Sequence, residues 1–164
     1  MSARLPEQDY QALQQAAGAL DPHDASPAAS VVRAQVATFR DWSAHNEART
    51  HLRWAYNRFF QDYDILLTPM TASAAFPHDQ SAMDGRRITV NNEEQPYFLQ
   101  LFWAGFTGVC FLPSTIIPTG PNAQGLPIGV QIAGPEYGDR ITLKAAQLLE
   151  DAGFKFQPAP NYAA

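Results

Sequence analysis

The sequence is short of cysteine, lysine and charge, and each shortage removes a class of function. Cys110 is the single cysteine among 164 residues, so the chain forms no internal disulfide and builds no thiolate zinc site by itself. It lies in the apolar run VCFL, where a buried thiol behaves as a small hydrophobe, and no histidine stands near it in sequence to activate it. Charged residues make up only 16%, against about a quarter in ordinary usage. The formal net charge is -5 and Arg86-Arg87 is the one basic doublet. That balance excludes a general attraction to nucleic-acid phosphates or to anionic lipid. The apolar runs fall well short of the roughly 20 residues that span a bilayer. The opening MSARLPEQDY has no apolar core of the kind that marks a secretory leader. The expectation is a cytoplasmic protein with neither a nucleic-acid nor a membrane partner.

Motifs with a built-in mechanism are missing too. The chain has no GxSxG, no P-loop, no GxGxxG and no HExxH, and no cofactor or metal is expected. His23, His45, His51 and His78 are scattered. His45 and His51, six residues apart on a helix, face different sides and make a poor metal pair. His78-Asp79 carries two readings: a base oriented by its carboxylate, or a loop pair that satisfies local backbone groups.

What is present is a globular core, with 46% hydrophobic and 12% aromatic residues. Pro6, with Glu7 and Asp9 behind it, suits the first turn of a helix whose Tyr10, Leu13, Ala17 and Leu20 share a face. DPHDASP then breaks the pattern. Ser26-Pro27 opens a second helical region with a capping hydroxyl and a proline at N1. Its apolar stripe runs from Val32, Val36 and Phe39 to Leu52, Ala55 and Phe59 across the polar SAHNEART, giving one long helix or two. A division follows: an N-terminal helix and linker over residues 1–25, and the main body over 26–164.

DILLTP, from Asp64 to Pro69, has the pattern of a strand buried on both faces. RRITV follows the turn signal Asp84-Gly85, and Asn91-Asn92 tolerates a left-handed turn after it. Pro96 can start a helix through YFLQLFWAGFTG that is apolar all round and reads as a central buried element. STIIP and IGVQIAG are the remaining strands. In the latter, Ile128, Val130 and Ile132 make one bulky face, while Gly129, Gln131 and Ala133 make a thin one that admits close neighbours. Asp139 is placed to cap a last helix, and Gly153 suits its C′ position. The fold class is α/β, a mixed β-sheet of DILLTP, RRITV, STIIP and IGVQIAG with helices packed on it.

Several of these segments occur in an order that resembles the amidase-signature family. They are RTHLRWAYNRFFQDYDILLTP, AAFPHD at Ala74–Asp79, RRITVN with Tyr97 and Trp103, and the block LPSTIIPTGPNAQGLPIGVQIAGPEYGDRITLKAAQLLE. The stretch GLPIGVQIAGP, from Gly125 to Pro135, is the most specific. The resemblance runs from about Arg40 to the end of the chain and is to the C-terminal portion of the family. It implies hydrolysis of a carboxamide C–N bond by a Ser-Ser-Lys mechanism in the intact protein. The catalytic serines of the family lie in a Gly/Ser-rich loop that has no counterpart here, and Lys144 and Lys155 stand in or after the last helix. No catalytic residue is therefore carried over. The resemblance places Phe102, Phe106 and His78 beside the acyl pocket as candidate substrate-binding residues. It also implies a small-molecule amide as substrate of the intact enzyme, and an N-terminal amidase half as a partner of this truncated portion, which is expected to be inactive alone. The abundance of aromatic residues supports the alternative, a non-catalytic binding or assembly module, and a homo-oligomer is the expected state.

Overall fold

The computed structural model of the protein describes residues 4–158. Its contacts group into two compact units that divide between Ala48 and Arg49. In the first unit, α1 (Glu7–Gly18) follows Pro6, which occupies the N-cap instead of the first helical position. The second helix, α2 (Pro27–Gln35), starts as its sequence dictates. The Ser26 hydroxyl accepts a hydrogen bond from the Ala29 N–H at 3.2 Å, and Pro27 stands at N1. Arg33, in the last turn, donates to the carbonyls of Asp24 and Asp21, each at 2.7 Å, and so folds the DPHDASP loop back onto its own helix.

The apolar stripe that left one helix or two resolves as two. After α2, α3 runs from Phe39 to Asp62, and the break falls before Phe39, while SAHNEART lies inside α3. A reciprocal cap explains the position. The Asp41 carboxylate accepts from the Thr38 N–H at 2.9 Å, and the Thr38 hydroxyl accepts from the Asp41 N–H at 3.2 Å. This satisfies two backbone donors that a helix start otherwise leaves open.

The second unit is built on a three-stranded antiparallel sheet of β1 (Leu66–Pro69), β4 (Ser114–Pro121) and β5 (Pro127–Ala133), in the order β1-β5-β4. The α/β class holds. DILLTP, however, is not buried on both faces: β1 is an edge strand and Leu67 is about half exposed. RRITV does not join this sheet. As β2 (Arg87–Val90) it pairs antiparallel with β3 (Glu93–Pro96) in a separate hairpin. Its turn is Asn91-Asn92, both at positive φ, as their short amide side chains allow. The polar EEQP of β3 carries no strand pattern of its own, so the pairing came from the turn.

Register assigns the faces of the main sheet. Leu67, Ile132 and Thr115 lie opposite one another, as do Thr68, Gln131 and Ile116 one step on, so the two sets point to opposite sides. On the first side, the Thr115 hydroxyl donates to Thr142 Oγ1 at 2.9 Å, which places α5 (Asp139–Asp151) there. On the second, the Gln131 amide donates to the Trp103 carbonyl at 2.9 Å, which places α4 (Leu101–Cys110) there. Both α4 and α5 correct the sequence reading. Tyr97–Gln100 forms a 3₁₀ turn before α4 begins, and α4 is not wholly buried, since Leu101, Phe102 and Val109 are exposed. In α5 the N-cap is Gly138 instead of Asp139, which makes no capping bond and sits in the first turn, where its charge complements the helix dipole's positive end. The C-terminal end of α5 is as expected: Gly153 adopts φ 113°, and the Phe154 N–H reaches the Leu149 carbonyl at 3.0 Å.

The α5 layer lies so close to β5 that Gly134 has no room for a side chain. An added Cβ would stand 2.7 Å from Thr142 Cγ2. Thr142 is 2% exposed, and its hydroxyl is engaged with Thr115 and with the Asp139 carbonyl, so it cannot yield easily. Gly134→Ala is expected to destabilise the chain by about 1–3 kcal/mol, the usual range for overpacking. A urea midpoint equal to that of the wild type would contradict this contact.

Candidate functional site

The loop that follows β1 borders two clefts in the second unit. Residues Met70 to Ala75 form one wall of a cleft of about 400 Å³, with Ile116, Ile128 and Gly129 opposite. The thin face of β5 makes this cleft. At Gly129 an added Cβ would stand 3.2 Å from the Ile117 carbonyl and 3.3 Å from Ile116 Cγ2, so a larger residue would crowd the sheet and fill the floor. A second cleft, of about 460 Å³, lies on the other side of the same loop, between Phe76, Tyr97, Arg87 and the β4–β5 turn at Asn122 and Gln124. Phe76 and Tyr97 meet edge to face at 5.8 Å, and the Arg86 guanidinium lies 5.9 Å over the Tyr97 ring.

Two buried glutamines hold this arrangement. Gln100 is 7% exposed, and its Oε1 accepts from the Ala72 N–H at 3.1 Å and from the Ser73 hydroxyl at 3.4 Å. It therefore fixes the cleft wall to the start of α4. Gln131 is 1% exposed and donates through Nε2 to Thr68 Oγ1 at 3.1 Å as well as to the Trp103 carbonyl. It ties β1, β5 and α4 together. Sequence reasoning passed over Gln100, though a lone amide inside YFLQLFW is the available signal: a polar group buried in an apolar run seeks partners, and here Oε1 finds two while Nε2 finds none among the described residues.

A third cluster holds the far end of α4. Phe111 closes that helix in the left-handed region, at φ 58°, unusual for a bulky residue. The guanidiniums of Arg49 and Arg53 lie 4.6 and 4.7 Å from its ring centroid. Arg53 also forms an ion pair with Glu136, in the loop between β5 and α5. Beside them Cys110 is fully buried, and burial pushes its thiol up against the smaller opposing pull of Arg53 and Arg49. The Tyr56 hydroxyl is likewise pushed up by burial.

The residues expected at a pocket are not gathered at either cleft. Phe102 is 64% exposed and meets Trp103 edge to face. Phe106 is half-buried with its ring 6.0 Å from that of Tyr56. His78 is exposed in the loop, and its neighbour Asp79 accepts from the Ser81 N–H at 2.8 Å, a bond that holds its carboxyl below the usual range. The aspartate is thus engaged with local backbone. Lys144 donates to Gln147 on the exposed side of α5, and Ser73 is bonded to Gln100. Among the described residues no group of three His, Cys, Asp or Glu side chains could hold a metal ion, and no helix is long and apolar enough to cross a membrane. The arrangement offers a shaped wall with hydrogen-bonding edges.

A family model described as Amidase matches residues 27–143. The chain belongs to the amidase family. That match takes in α2 to the first turns of α5, including both clefts and the glutamines that frame them. The chain is 28% identical over 124 residues to a fatty acid amide hydrolase of Oryza sativa subsp. indica, covering 76% of itself and 20% of that protein. It is 32% identical over 101 residues to a glutamyl-tRNA(Gln) amidotransferase polypeptide of Brucella ovis, covering 62% of itself and 19% of that protein. Among solved structures it resembles a bacterial aryl acylamidase of the amidase-signature family (TM-score 0.60, 24% identity, 90% of this chain and 31% of that one). It also resembles a chain described with a vestigial protein complex and the origins of an s-triazine catabolic enzyme (TM-score 0.63, 22% identity, 93% of this chain and 32% of that one). The amidase chain thus spans about a fifth of the length of these curated relatives and about a third of the solved structures, so it presents part of the fold.

Three expectations follow for this amidase-family chain. Gln131→Leu leaves the Thr68 hydroxyl and the Trp103 carbonyl without their buried partner and should cost about 1–3 kcal/mol, measured by denaturant unfolding; a loss below about 0.5 kcal/mol, the scatter of ordinary surface changes, would refute the tie. The raised Cys110 and Tyr56 groups stabilise the fold fully below their unfolded-state pKa values, and that contribution is lost as pH rises through their folded values. Stability should therefore fall on the alkaline side. Cys110 should react with a thiol reagent only on unfolding, and rapid labelling of the folded chain would contradict its burial.

Proposed function

We propose that this chain is one part of an amidase that hydrolyses a carboxamide C–N bond through an acyl-enzyme, with the Ser-Ser-Lys groups on polypeptide outside these 164 residues. The observation that carries the reading is the amidase match over residues 27–143 together with coverage of only about a fifth of the relatives' length. In this reading the chain contributes sheet strands, covering helices and one pocket wall. The loop fastened by Gln100 and the thin face at Gly129 support the wall. Phe102, Phe106 and His78 come to border the acyl group once the pocket is completed by an N-terminal amidase half. The assembled protein acts on a small-molecule amide in the cytoplasm, and the 164-residue chain alone turns nothing over.

The test is hydrolysis of simple aryl and alkyl amides by the purified chain, followed by ammonia or amine release. The expected result is no release above buffer. Turnover that survives replacement of each serine would overturn the mechanism, and turnover lost with one serine would mean a site rebuilt within this chain. The exposed Leu101, Phe102 and Val109 favour a second reading, a non-catalytic module that self-associates through its apolar surface. Light scattering at high concentration separates the two: a strict monomer removes self-association.

A further inference from the structure

We infer that the outward face of α4 is a docking surface for an apolar segment of the amidase fold that lies outside these 164 residues, packed at close backbone distance. The inference rests on the proposed function and adds the place where that missing part sits.

The face is defined by spacing. Leu101, Phe102, Gly105, Gly108 and Val109 are all exposed, and separations of three, four and seven put them on one side of the helix. Thr107 and Cys110 are buried on the other side, where the Trp103 carbonyl meets Gln131. No charged residue occurs anywhere in LFWAGFTGVC. A solvated helix face ordinarily carries charged and polar groups, and this one carries none.

The two glycines sharpen the argument. Glycine weakens a helix interior relative to alanine, so its presence needs a reason. Neither Gly105 nor Gly108 adopts a positive φ, and an added Cβ at either would meet nothing within 4 Å. Gly134, by contrast, is required by a neighbour in this chain. The described residues give Gly105 and Gly108 no such neighbour, and a helix that is apolar and notched by glycine is shaped to receive another backbone. Flanking Leu101 and Val109 would close around that backbone.

The choice of occupant comes from the relatives. The aryl acylamidase contains the matched fold within a chain of which this one covers 31%, so the same framework occurs alongside a much larger body of amidase polypeptide. A polar or charged ligand finds no partner on this face. The occupant fits as an uncharged helix or strand with small residues at its contact.

The test combines two readouts on the full 164-residue chain. Gly105→Ala and Gly108→Ala should each raise its Tm, by about 2–4 °C, because the helix gains and nothing is crowded. The same substitutions should weaken, by about tenfold or more, assembly with the portion of the aryl acylamidase that lies outside its aligned third. That portion is co-produced with the chain, and the complex is measured by size exclusion with light scattering and by titration. A fall in Tm would overturn the inference, since the glycines would then serve this chain's own packing. A complex indifferent to both glycines would overturn the docking face while leaving the proposed function standing. The absence of any complex would overturn both, and a homodimer broken by the alanines would reassign the face to a second copy of this chain.

Discussion

The second unit depends on the buried amide of Gln131. It stands in the middle strand of the sheet and donates to Thr68 on one edge strand and to the Trp103 carbonyl in the helix above. A side-chain amide taken out of water needs these partners, because an unpaired buried donor costs more than a made hydrogen bond returns. Once both are made, strand separation, the seating of α4 and the level at which β1 ends are set together. The loop after β1 begins just beyond Thr68 and Pro69, so its starting height is a consequence of this one contact. Gln100 then fastens the loop a second time, from the start of the same helix.

The cleft follows from what the thin face of β5 lacks. Gly129, Gln131 and Ala133 alternate with bulky residues that meet the α5 layer, so bulk is placed on one side and space is kept on the other. On the α5 side, just past the strand, Gly134 instead lets Thr142 approach to a distance no side chain would allow. At the far end of α4, two guanidiniums against the Phe111 ring and the Arg53–Glu136 pair hold a left-handed residue in place. Such strain persists where surrounding contacts over-determine it. The polar and aromatic groups of this unit thus hold a surface in position.

Much of the local structure was legible in the residues. Ser26 followed by Pro27 announces a helix start, Asn91-Asn92 a left-handed turn, and Gly153 a helix end, because each acts on backbone groups within about four positions. IGVQIAG showed its two faces by alternation alone. The failures have a common cause. DILLTP reads as doubly buried, yet β1 lies at the edge with Leu67 exposed, since neighbours on both sides cannot be inferred from one strand. RRITV reads as a sheet member, but the turn after it drew EEQP into a local hairpin. Asp139 has the right chemistry for a cap, and the backbone turned at Gly138 instead.

The sequence by itself determined the family, the α/β class and the terminators of most elements. It did so because capping, turn chemistry and hydrophobic period are short-range properties, and because GLPIGVQIAGP is specific as a string. Tertiary structure alone decided which strands pair, that Gln100 and Gln131 are the polar ties, and that one side of α4 stays bare. These outcomes depend on residues tens of positions apart meeting across a sheet. Burial is a property of such meetings and not of the residue that is buried.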